Sequence, residues 1–258
     1  MLRFGSVNRI VISLFCLLLI ANYWLPIPVY LYGIAAFTWF AFTVFGSFFI
    51  QWNYHLTSHH KNHKIEENKV AITFDDGPHP EFTPQVLGLL EKYNAKATFF
   101  CIGNEVEKYQ SIVSTILEKG HTIGNHTYSH TRNFGFLSTE KVKQELEDTN
   151  SLVKAIFNKS MCLYRPAFGV TNPRIKEAVK DLNLTSIGWS VRSLDTTKRP
   201  KNMVVRRITK NLKKGDIILL HDTSAKSVAV LEQLLLFLQQ KKMQSIPVNK
   251  LLDIVAYE

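Results

Sequence analysis

Ionisable side chains stand directly after several short apolar runs of this sequence. Two adjacent carboxylates follow one such run in "VAITFDDGP", and two histidines lie four residues apart in "GNHTYSH". Further ionisable residues occur in "LYRPAFG", "RSLDT" and "ILLHD". The candidate site residues are therefore Asp75, Asp76, His126, His130, Arg165, Asp195, His221 and Asp222.

Two histidines and one carboxylate predict a metal site. His126 and His130 are four residues apart, and on a helical turn this spacing places both imidazoles on one side. Together with one carboxylate they form a three-ligand set with open positions, as a catalytic metal site requires. A bound cation would also offset the repulsion between the adjacent carboxylates of Asp75 and Asp76. Asp222 is predicted to be a structural cap beside His221.

The elements that position these residues follow from the hydrophobic pattern after Lys69. Apolar runs such as "VAITF", "KATFFCIG", "LTSIGWSV" and "DIILLHD" are typical of strands, and the longer amphipathic runs between them are typical of helices. Strands that are apolar throughout and alternate with helices predict a parallel sheet, in either an α/β barrel or a doubly wound fold. In such folds the carboxyl ends of the strands face one pocket, and the candidate residues fall at those ends.

The motifs "TFDDGP", "GNHTYSH", "RPAFG", "SLDT" and "LLH", in this order and spacing, resemble the five motifs of the polysaccharide deacetylases. This is the NodB-homology family, carbohydrate esterase family 4. The resemblance covers about residues 69–258. It implies a distorted (β/α) barrel, a divalent metal ion that is commonly zinc, and hydrolytic removal of N-linked acetyl groups from amino sugars.

The same resemblance implies a role for each motif residue. The implied metal ligands are Asp76, His126 and His130. Asp75 is the implied general base, oriented by Arg165, and takes a proton from a metal-activated water. The backbone N–H of Phe168 is the implied oxyanion donor. His221 is the implied general acid for the leaving amine, and Asp195 helps to keep it cationic.

The sequence departs from the family pattern in two motifs. The third motif commonly reads Arg-Pro-Pro-Tyr, but here Ala167 and Phe168 follow the proline. Only backbone is needed for the oxyanion, so we expect activity to survive this change. The fourth motif usually ends in Asp-Trp, whereas Thr196 follows Asp195 here. That tryptophan helps to wall the substrate pocket in the family, so the glycan specificity is left open.

The N-terminal part of the chain predicts a membrane hairpin. Residues 10–60 contain no Asp, Glu, Lys or Arg, and two apolar runs, about 10–25 and 29–50, are separated by "PIP". A bilayer-spanning helix needs about 20 apolar residues. The alternatives are a secretory signal peptide and a single-span anchor. The predicted division is a membrane segment at 1–52, a linker at 53–68 and the deacetylase domain at 69–258.

The residues on either side of the two apolar runs indicate on which side of the membrane the catalytic domain lies. The predicted linker is polar and solvated. It contains His55, His59, His60 and His63, and a metal site formed by these histidines is the alternative. Arg3 and Arg9 precede the first run, and Lys61 and Lys64 follow the second. The positive-inside rule therefore favours the cytoplasmic face of a bacterial cell membrane for both flanks and for the catalytic domain. The resemblance favours the other side, because most of the family acts on glycans outside the cytoplasm.

Composition narrows the class of partner. The formal net charge is +10, and a basic domain beside a bilayer is attracted to anionic lipids and to phosphate-bearing substrates. No basic tract is interleaved with aromatic residues, so nucleic-acid binding is not predicted, and no feature points to a protein partner. The three cysteines have no spacing of a zinc site or a disulfide framework.

Three functional hypotheses follow from the sequence. The first is a membrane-anchored, metal-dependent deacetylase of amino-sugar glycans such as peptidoglycan or a related polysaccharide. The second keeps this chemistry but acts on a lipid-linked amino sugar at the membrane surface. The third is a non-catalytic glycan-binding membrane protein, which the complete set of candidate residues disfavours.

Overall fold

The computed structural model describes residues 3–258 as a pair of long N-terminal helices followed by an α/β domain. The α-helices are α1 Phe4–Trp24, α2 Val29–Phe48, α3 Phe82–Lys92, α4 Gly103–Lys108, α5 Gln110–Glu118, α6 Thr139–Phe157, α7 Pro173–Asp181, α8 Lys201–Thr209, α9 Ala225–Gln240 and α10 Val248–Leu252. The strands are β1 Lys69–Gly77, β2 Ala97–Cys101, β3 Thr122–Asn125, β4 Leu163–Tyr164, β5 Thr185–Ser186, β6 Val191–Arg192, β7 Ile217–His221 and β8 Gln244–Ser245. Short 3₁₀ turns occupy Ile50–Trp52, Phe134–Phe136 and Ala167–Gly169.

All of the strands pair in parallel, in the order β5-β4-β3-β2-β1-β7-β6, with β8 beside the start of β1. The two outer strands, β5 and β6, are separated along the chain only by residues 187–190. The sheet therefore curls until this short segment bridges its two edges. This architecture confirms the predicted distorted (β/α) barrel.

Side chains of the central strand β1 alternate between two environments. Val70, Ile72 and Phe74 are buried in the main apolar core, together with residues of the outer helices such as α3 and α9. Thr73 and Asp75 have the opposite parity, and both contact the side chain of Arg165. The alternation along a strand thus separates an apolar outer layer from a polar barrel interior. Because β1 lies in the middle of the sheet, side chains from several neighbouring strands can meet at its carboxyl end.

The predicted strand "LTSIGWSV" is wrong as one continuous element, because the structure divides it into β5 and β6. Two distant side chains bind the carbonyl groups between the two strands. Arg165 donates to the carbonyls of Ile187 and Gly188, each at 3.0 Å. The Gln51 amide donates to those of Trp189 at 2.9 Å and Ser190 at 3.2 Å. The strand is interrupted at residues 187–190, where these side chains bind the carbonyl groups.

The segment that follows α2 is packed against the domain, whereas the sequence predicted a solvated linker. His55 and Ser58 are buried, so the predicted solvation is wrong for these residues. The N–H of His59 donates to the carbonyl of Ser186 at 2.9 Å, and the N–H of Gly188 donates to that of His59 at 2.9 Å. This segment therefore lies along the gap between β5 and β6, and its polar residues satisfy backbone groups there.

Helices α1 and α2 form an antiparallel pair. The indole N–H of Trp39 donates to the Asn8 side chain at 2.8 Å, and Phe15 lies beside Tyr32. Both helices are long and apolar enough to cross a membrane. They begin or end a few residues away from the predicted runs 10–25 and 29–50, since α1 already starts at Phe4. These helices are consistent with membrane anchors and, near the N-terminus, also with a signal sequence.

Candidate active site

The candidate residues converge at the carboxyl edge of the curled sheet. Asp75 and Asp76 end β1, and His221 ends β7 next to it. His126 directly follows β3, Arg165 directly follows β4, and Asp195 lies just after β6. Parallel strands all present their carboxyl ends to one side of a sheet, so residues far apart in sequence meet there. A cavity of about 290 Å³ opens at this edge and is lined by Asp75, Asp76, His126, His130 and His221, among others.

Asp76, His126 and His130 form the candidate metal site. One donor atom from each residue lies within 4.8 Å of the other two. The Nε2 atoms of His126 and His130 are 3.3 and 3.5 Å from Oδ1 of Asp76. The Nδ1 atom of His126 lies 2.9 Å from the Arg165 carbonyl, which directs its Nε2 atom toward the carboxylate.

Two members of this trio, Asp76 and His130, have the protonation that a bound cation requires. Burial lowers the pKa of His126, but Asp75 and Asp76 raise it overall, so a cation would have to displace its proton. Burial lowers the pKa of His130 to about 4, so its imidazole is neutral at neutral pH. Its Nε2 atom is buried and has no hydrogen-bond partner among residues 3–258. Burial raises the pKa of Asp76, but the hydrogen bond and charge of His126 outweigh this effect, and the pKa falls well below its usual range. A neutral imidazole whose nitrogen has no hydrogen-bond partner, next to an ionised carboxylate, provides the kind of ligand atoms that a divalent metal ion binds.

The two histidines do not lie on a helical turn, so that part of the prediction is wrong. Thr127 and His130 both have positive φ angles, 67° and 48°. Local side chains hold the loop in this shape. The side chain of Asn125 accepts from the N–H of Thr127 at 2.8 Å, and the hydroxyl of Thr127 accepts from the N–H of His130 at 3.1 Å. A loop thus brings the imidazoles together, with ring centroids 4.8 Å apart.

Asp75 faces Arg165 rather than the two histidines. The Nη1 atom of Arg165 donates to Oδ1 of Asp75 at 3.0 Å and to the hydroxyl of Thr73 at 2.7 Å. The guanidinium group is completely buried and lies 4.2 Å from the centre of the Phe100 ring. With its bonds to the carbonyls of residues 187 and 188, it holds Asp75 in a single orientation.

His221 and Asp195 form a hydrogen-bonded pair on the other side of the cavity. The Nδ1 atom of His221 lies 2.8 Å from Oδ1 of Asp195, whose other oxygen accepts from the hydroxyl of Ser227 at 2.7 Å. Burial lowers the pKa of His221, but the Asp195 hydrogen bond and the nearby carboxylates raise it overall to about 9. The imidazole is therefore cationic at neutral pH, and its Nε2 atom lies 3.8 Å from Asp76.

Phe168 lies at the rim of the cavity. Its φ angle is 56°, and its ring stacks at a tilt 4.5 Å from His130 while 47% of the residue stays exposed. Among residues 3–258 the N–H of Phe168 has no hydrogen-bond acceptor. The side chain thus covers one histidine, and the backbone donor is left without a protein partner.

Two residues of the cavity lining were not predicted from the sequence. Trp189 and Arg192 line the cavity together with Thr196. Both residues reach the cavity because the chain is bent between β5 and β6. In the sequence, only their location just before the fourth motif could have indicated a role at the site.

Asp222 is fully buried and accepts from the hydroxyl of Thr83, and burial raises its pKa to about 7. This hydrogen bond ties β7 to the start of α3, in agreement with a structural role.

Comparison with known proteins places the chain in a family. A family profile described as polysaccharide deacetylase matches residues 62–187. A peptidoglycan-N-acetylglucosamine deacetylase of Bacillus cereus is 36% identical over 191 residues, which cover 72% of this chain and 89% of that protein. The chain belongs to the polysaccharide deacetylase family.

Other members of the polysaccharide deacetylase family agree with this assignment. A solved structure of the Bc1960 peptidoglycan N-acetylglucosamine deacetylase superposes with a TM-score of 0.71 at 29% identity, covering 78% of this chain and 94% of the other. The peptidoglycan-N-acetylmuramic acid deacetylase PdaC of Bacillus subtilis is 31% identical over 75% of this chain but only 41% of its own length. The match to PdaC is therefore restricted to part of that longer protein.

Proposed function

We propose that this polysaccharide deacetylase hydrolyses the N-acetyl group of an amino-sugar glycan to acetate and a free amine. The observation that supports the proposal is the arrangement of three groups of side chains around the cavity. A metal-ligand trio lies at its centre. A carboxylate held by a buried arginine lies on one side, and an imidazolium held by a buried aspartate lies on the other. Amide hydrolysis needs a proton acceptor for water and a proton donor for the leaving nitrogen, and this cavity provides both.

Asp76, His126 and His130 are the residues that would hold the metal ion. One carboxylate oxygen and two imidazole nitrogens form a set that suits zinc and leaves positions open for water and substrate. When bound, such an ion would lower the pKa of a water molecule and polarise the acetyl carbonyl.

The remaining roles fall to residues whose geometry suits them. Asp75 accepts a proton from the water that attacks the carbonyl carbon, and Arg165 keeps its carboxylate oriented. The unpartnered N–H of Phe168 donates to the developing oxyanion. The carbon–nitrogen bond then breaks as His221 delivers its proton to the nitrogen, while Asp195 holds the imidazole in place. Both products, acetate and the amine, leave the cavity.

Two substrate classes fit this chemistry. Relatives named for peptidoglycan favour a polymeric N-acetylated glycan. A lipid-linked amino sugar is the second class, and a specific contact favours it. Ile50, directly after α2, packs with Trp189 and Leu219, two residues that line the active-site cavity. If α2 crosses the membrane, this cavity lies close to the bilayer surface.

We also propose that α1 and α2 anchor the enzyme in the membrane as a hairpin. The N–H of Phe4 donates to the carbonyl of Tyr54 at 2.9 Å, so the start of α1 and the chain after α2 meet. The catalytic domain and the N-terminus would therefore lie on the same side, and the flanking basic residues favour the cytoplasmic face.

An acetate-release assay tests the proposed function. Purified full-length protein, loaded with zinc and incubated with N-acetylglucosamine oligomers, should release acetate, and the same protein treated with a chelator should not. A variant with Asp75 replaced by asparagine serves as the inactive control. Binding of oligomers with no acetate release, by protein that holds its metal, would instead indicate the non-catalytic glycan-binding hypothesis.

A further inference from the structure

A second cavity lies beside the active site, between the chain that follows α2 and helix α8. It has a volume of about 750 Å³. Its polar lining includes Gln51, Lys61, Ser190, Arg192, Arg207 and Lys213. We call it the basic groove. The family profile and the five sequence motifs do not include its arginines, and none of the roles above uses it.

The basic groove has an excess of unpaired positive charge. Its acidic residue, Asp216, is already engaged by Lys61 at 3.0 Å, by the hydroxyl of Ser190 at 2.9 Å and by the N–H of Lys213 at 2.7 Å. Within residues 3–258, no carboxylate lies within 4.0 Å of the side-chain nitrogens of the other three basic residues, which are Arg192, Arg207 and Lys213. Cations gathered around one cavity repel each other, and an anion with several oxygens, above all a phosphate, relieves that repulsion.

The basic groove adjoins the active-site cavity. Arg192, at the end of β6, lines both of them. Arg207 donates from Nε to the carbonyl of Arg192 at 2.8 Å, which fixes the wall between the two cavities. An anionic group in the groove and an amino sugar in the active site would therefore lie on either side of Arg192.

The basic groove also lies next to the end of the second candidate span. Gln51 lines it and belongs to the turn Ile50–Trp52, which comes directly after α2. The Gln51 amide donates to the carbonyls of Trp189 and Ser190, so the end of the span is joined to the wall of both cavities. The N–H of Thr171 donates to the carbonyl of Ser47 in α2 at 2.9 Å, which fixes the same junction from the other side.

We propose that the basic groove binds the phosphate of a lipid-linked N-acetylamino sugar whose acetamido group lies in the active-site cavity. This inference rests on the deacetylase function proposed above and specifies its substrate. A phosphate placed between the sugar and a lipid tail would meet the unpaired cations at the level where α2 leaves the bilayer. A neutral oligosaccharide has no negative charge that would offset the repulsion between these cations.

A comparison of two substrates tests the inference on full-length, zinc-loaded enzyme in nanodiscs of phosphatidylcholine. One substrate is N-acetylglucosamine joined to a short polyprenyl phosphate, and the other is a neutral N-acetylglucosamine tetramer. The test variant combines Arg207→Gln with Lys213→Gln. The matched control combines Arg206→Gln with Lys214→Gln, which removes the same charge from adjacent positions that do not line the groove. The measured quantity is the ratio of kcat/KM for the phosphate-linked substrate to that for the tetramer.

We expect the ratio to exceed one in the wild type and to fall by about tenfold or more in the test variant, because charge-assisted contacts of this kind contribute at least about a tenfold affinity each. The control variant should keep the wild-type ratio. An unchanged ratio in the test variant, with the tetramer still deacetylated, would overturn the inference and leave the deacetylase function standing. The same assay is repeated in nanodiscs that contain anionic lipid. If the test variant loses activity equally on both substrates there, and loses none in phosphatidylcholine, the groove binds bilayer headgroups and the inference is overturned. Absence of acetate from both substrates with wild-type enzyme would overturn the proposed function itself.

Discussion

Asp75 and Asp76 are adjacent in the chain but have different partners. Asp75 contacts the buried guanidinium of Arg165, whereas Asp76 lies beside two imidazoles. Asp76 has a φ angle of 71°, in the left-handed region that aspartate tolerates better than most residues. This conformation turns the chain at the end of β1 and allows the two carboxylates to serve different purposes.

This separation predicts opposite effects for the two aspartate-to-asparagine variants. Asp75→Asn should retain bound metal but lose about 10²–10⁴-fold in turnover, because it removes a general base and leaves the ligand trio intact. Asp76→Asn should bind metal more weakly, because it removes the trio's charged ligand. Metal content and acetate release, measured on the same preparations, check both expectations. Near-normal turnover by Asp75→Asn would show that this carboxylate is not the base.

Removal of either imidazole should release the metal ion. His126→Ala or His130→Ala leaves two ligands, and we expect both the metal content and the activity to fall to the level of the chelated enzyme. His63→Ala is the matched control, because that histidine is exposed and lies outside the trio. Elemental analysis after dialysis gives the metal content. Full occupancy in both test variants would place the metal elsewhere.

The Asp195–His221 pair predicts the high-pH limit of activity. The imidazolium form donates the proton, and a pKa of about 9 keeps it populated at neutral pH, so kcat/KM should fall as the pH rises toward 9. A cation at Asp76 would move this limit to lower pH by offsetting the carboxylate's charge. Asp195→Asn should lower the limit by about 1–3 pH units, because it removes a hydrogen-bonded negative charge.

The control for this pH profile is Asp253→Asn, an exposed aspartate far from the cavity lining. Its profile should match that of the wild type. If Asp195→Asn also kept the wild-type profile, His221 would not be the group whose deprotonation limits the rate.

The motif residues of the site were predictable from the sequence, but its walls were not. Asp75, Asp76, His126, Arg165 and His221 each follow an apolar run, His130 lies four residues after His126, and these patterns are local. Trp189 and Arg192 reach the cavity only because the chain is bent between β5 and β6. No short-range pattern encodes that bend, since the groups that hold it, Arg165 and Gln51, lie far from it in sequence.

At the scale of elements, Arg165 joins β4, β1 and the chain beyond β5 through its side chain. It follows β4, contacts Thr73 and Asp75 on β1, and donates to the carbonyls of residues 187 and 188 beyond β5. A buried guanidinium is stable only with such a complete set of acceptors. The alternation of strands and helices was predictable, whereas the sheet edge that depends on this one side chain was not.

Replacement of Arg165 should therefore destabilise the fold. Arg165→Met would leave the buried Asp75 carboxylate and several oxygen atoms unpaired, and breaking a buried ion pair in this way costs about 3–5 kcal/mol. For a domain of this size we expect a decrease in Tm of roughly 6–20 °C, measured by intrinsic fluorescence. Arg174→Met removes an exposed arginine and should change Tm little. Equal Tm values for the two variants would contradict the structural role of Arg165.

At the scale of the whole molecule, the hairpin and the domain form one packed unit. Gly46 in α2 is in such close contact with Tyr54 that an added Cβ would lie 2.3 Å from the Tyr54 ring. The segment after α2 then pairs with both sides of the gap in the barrel, through His59 to Ser186 and through Asn62 to Gly215. Its polar composition indicated a free linker, because single-sequence patterns cannot distinguish polar groups that bind water from those that bind a distant backbone.

The packed hairpin predicts which side of the membrane the catalytic domain occupies. If α1 and α2 cross the membrane as the proposed hairpin, the domain lies on the same side as Arg3 and Arg9, since the start of α1 contacts Tyr54. The positive-inside rule favours the cytoplasm for these residues. A fluorescent protein fused after Glu258 should therefore be bright, and a periplasmic-type phosphatase fused there should be inactive. The same reporters placed in the turn at residues 25–28 should give the opposite result and serve as the control. An active phosphatase at Glu258 would put the domain outside the cytoplasm and contradict the predicted cytoplasmic orientation.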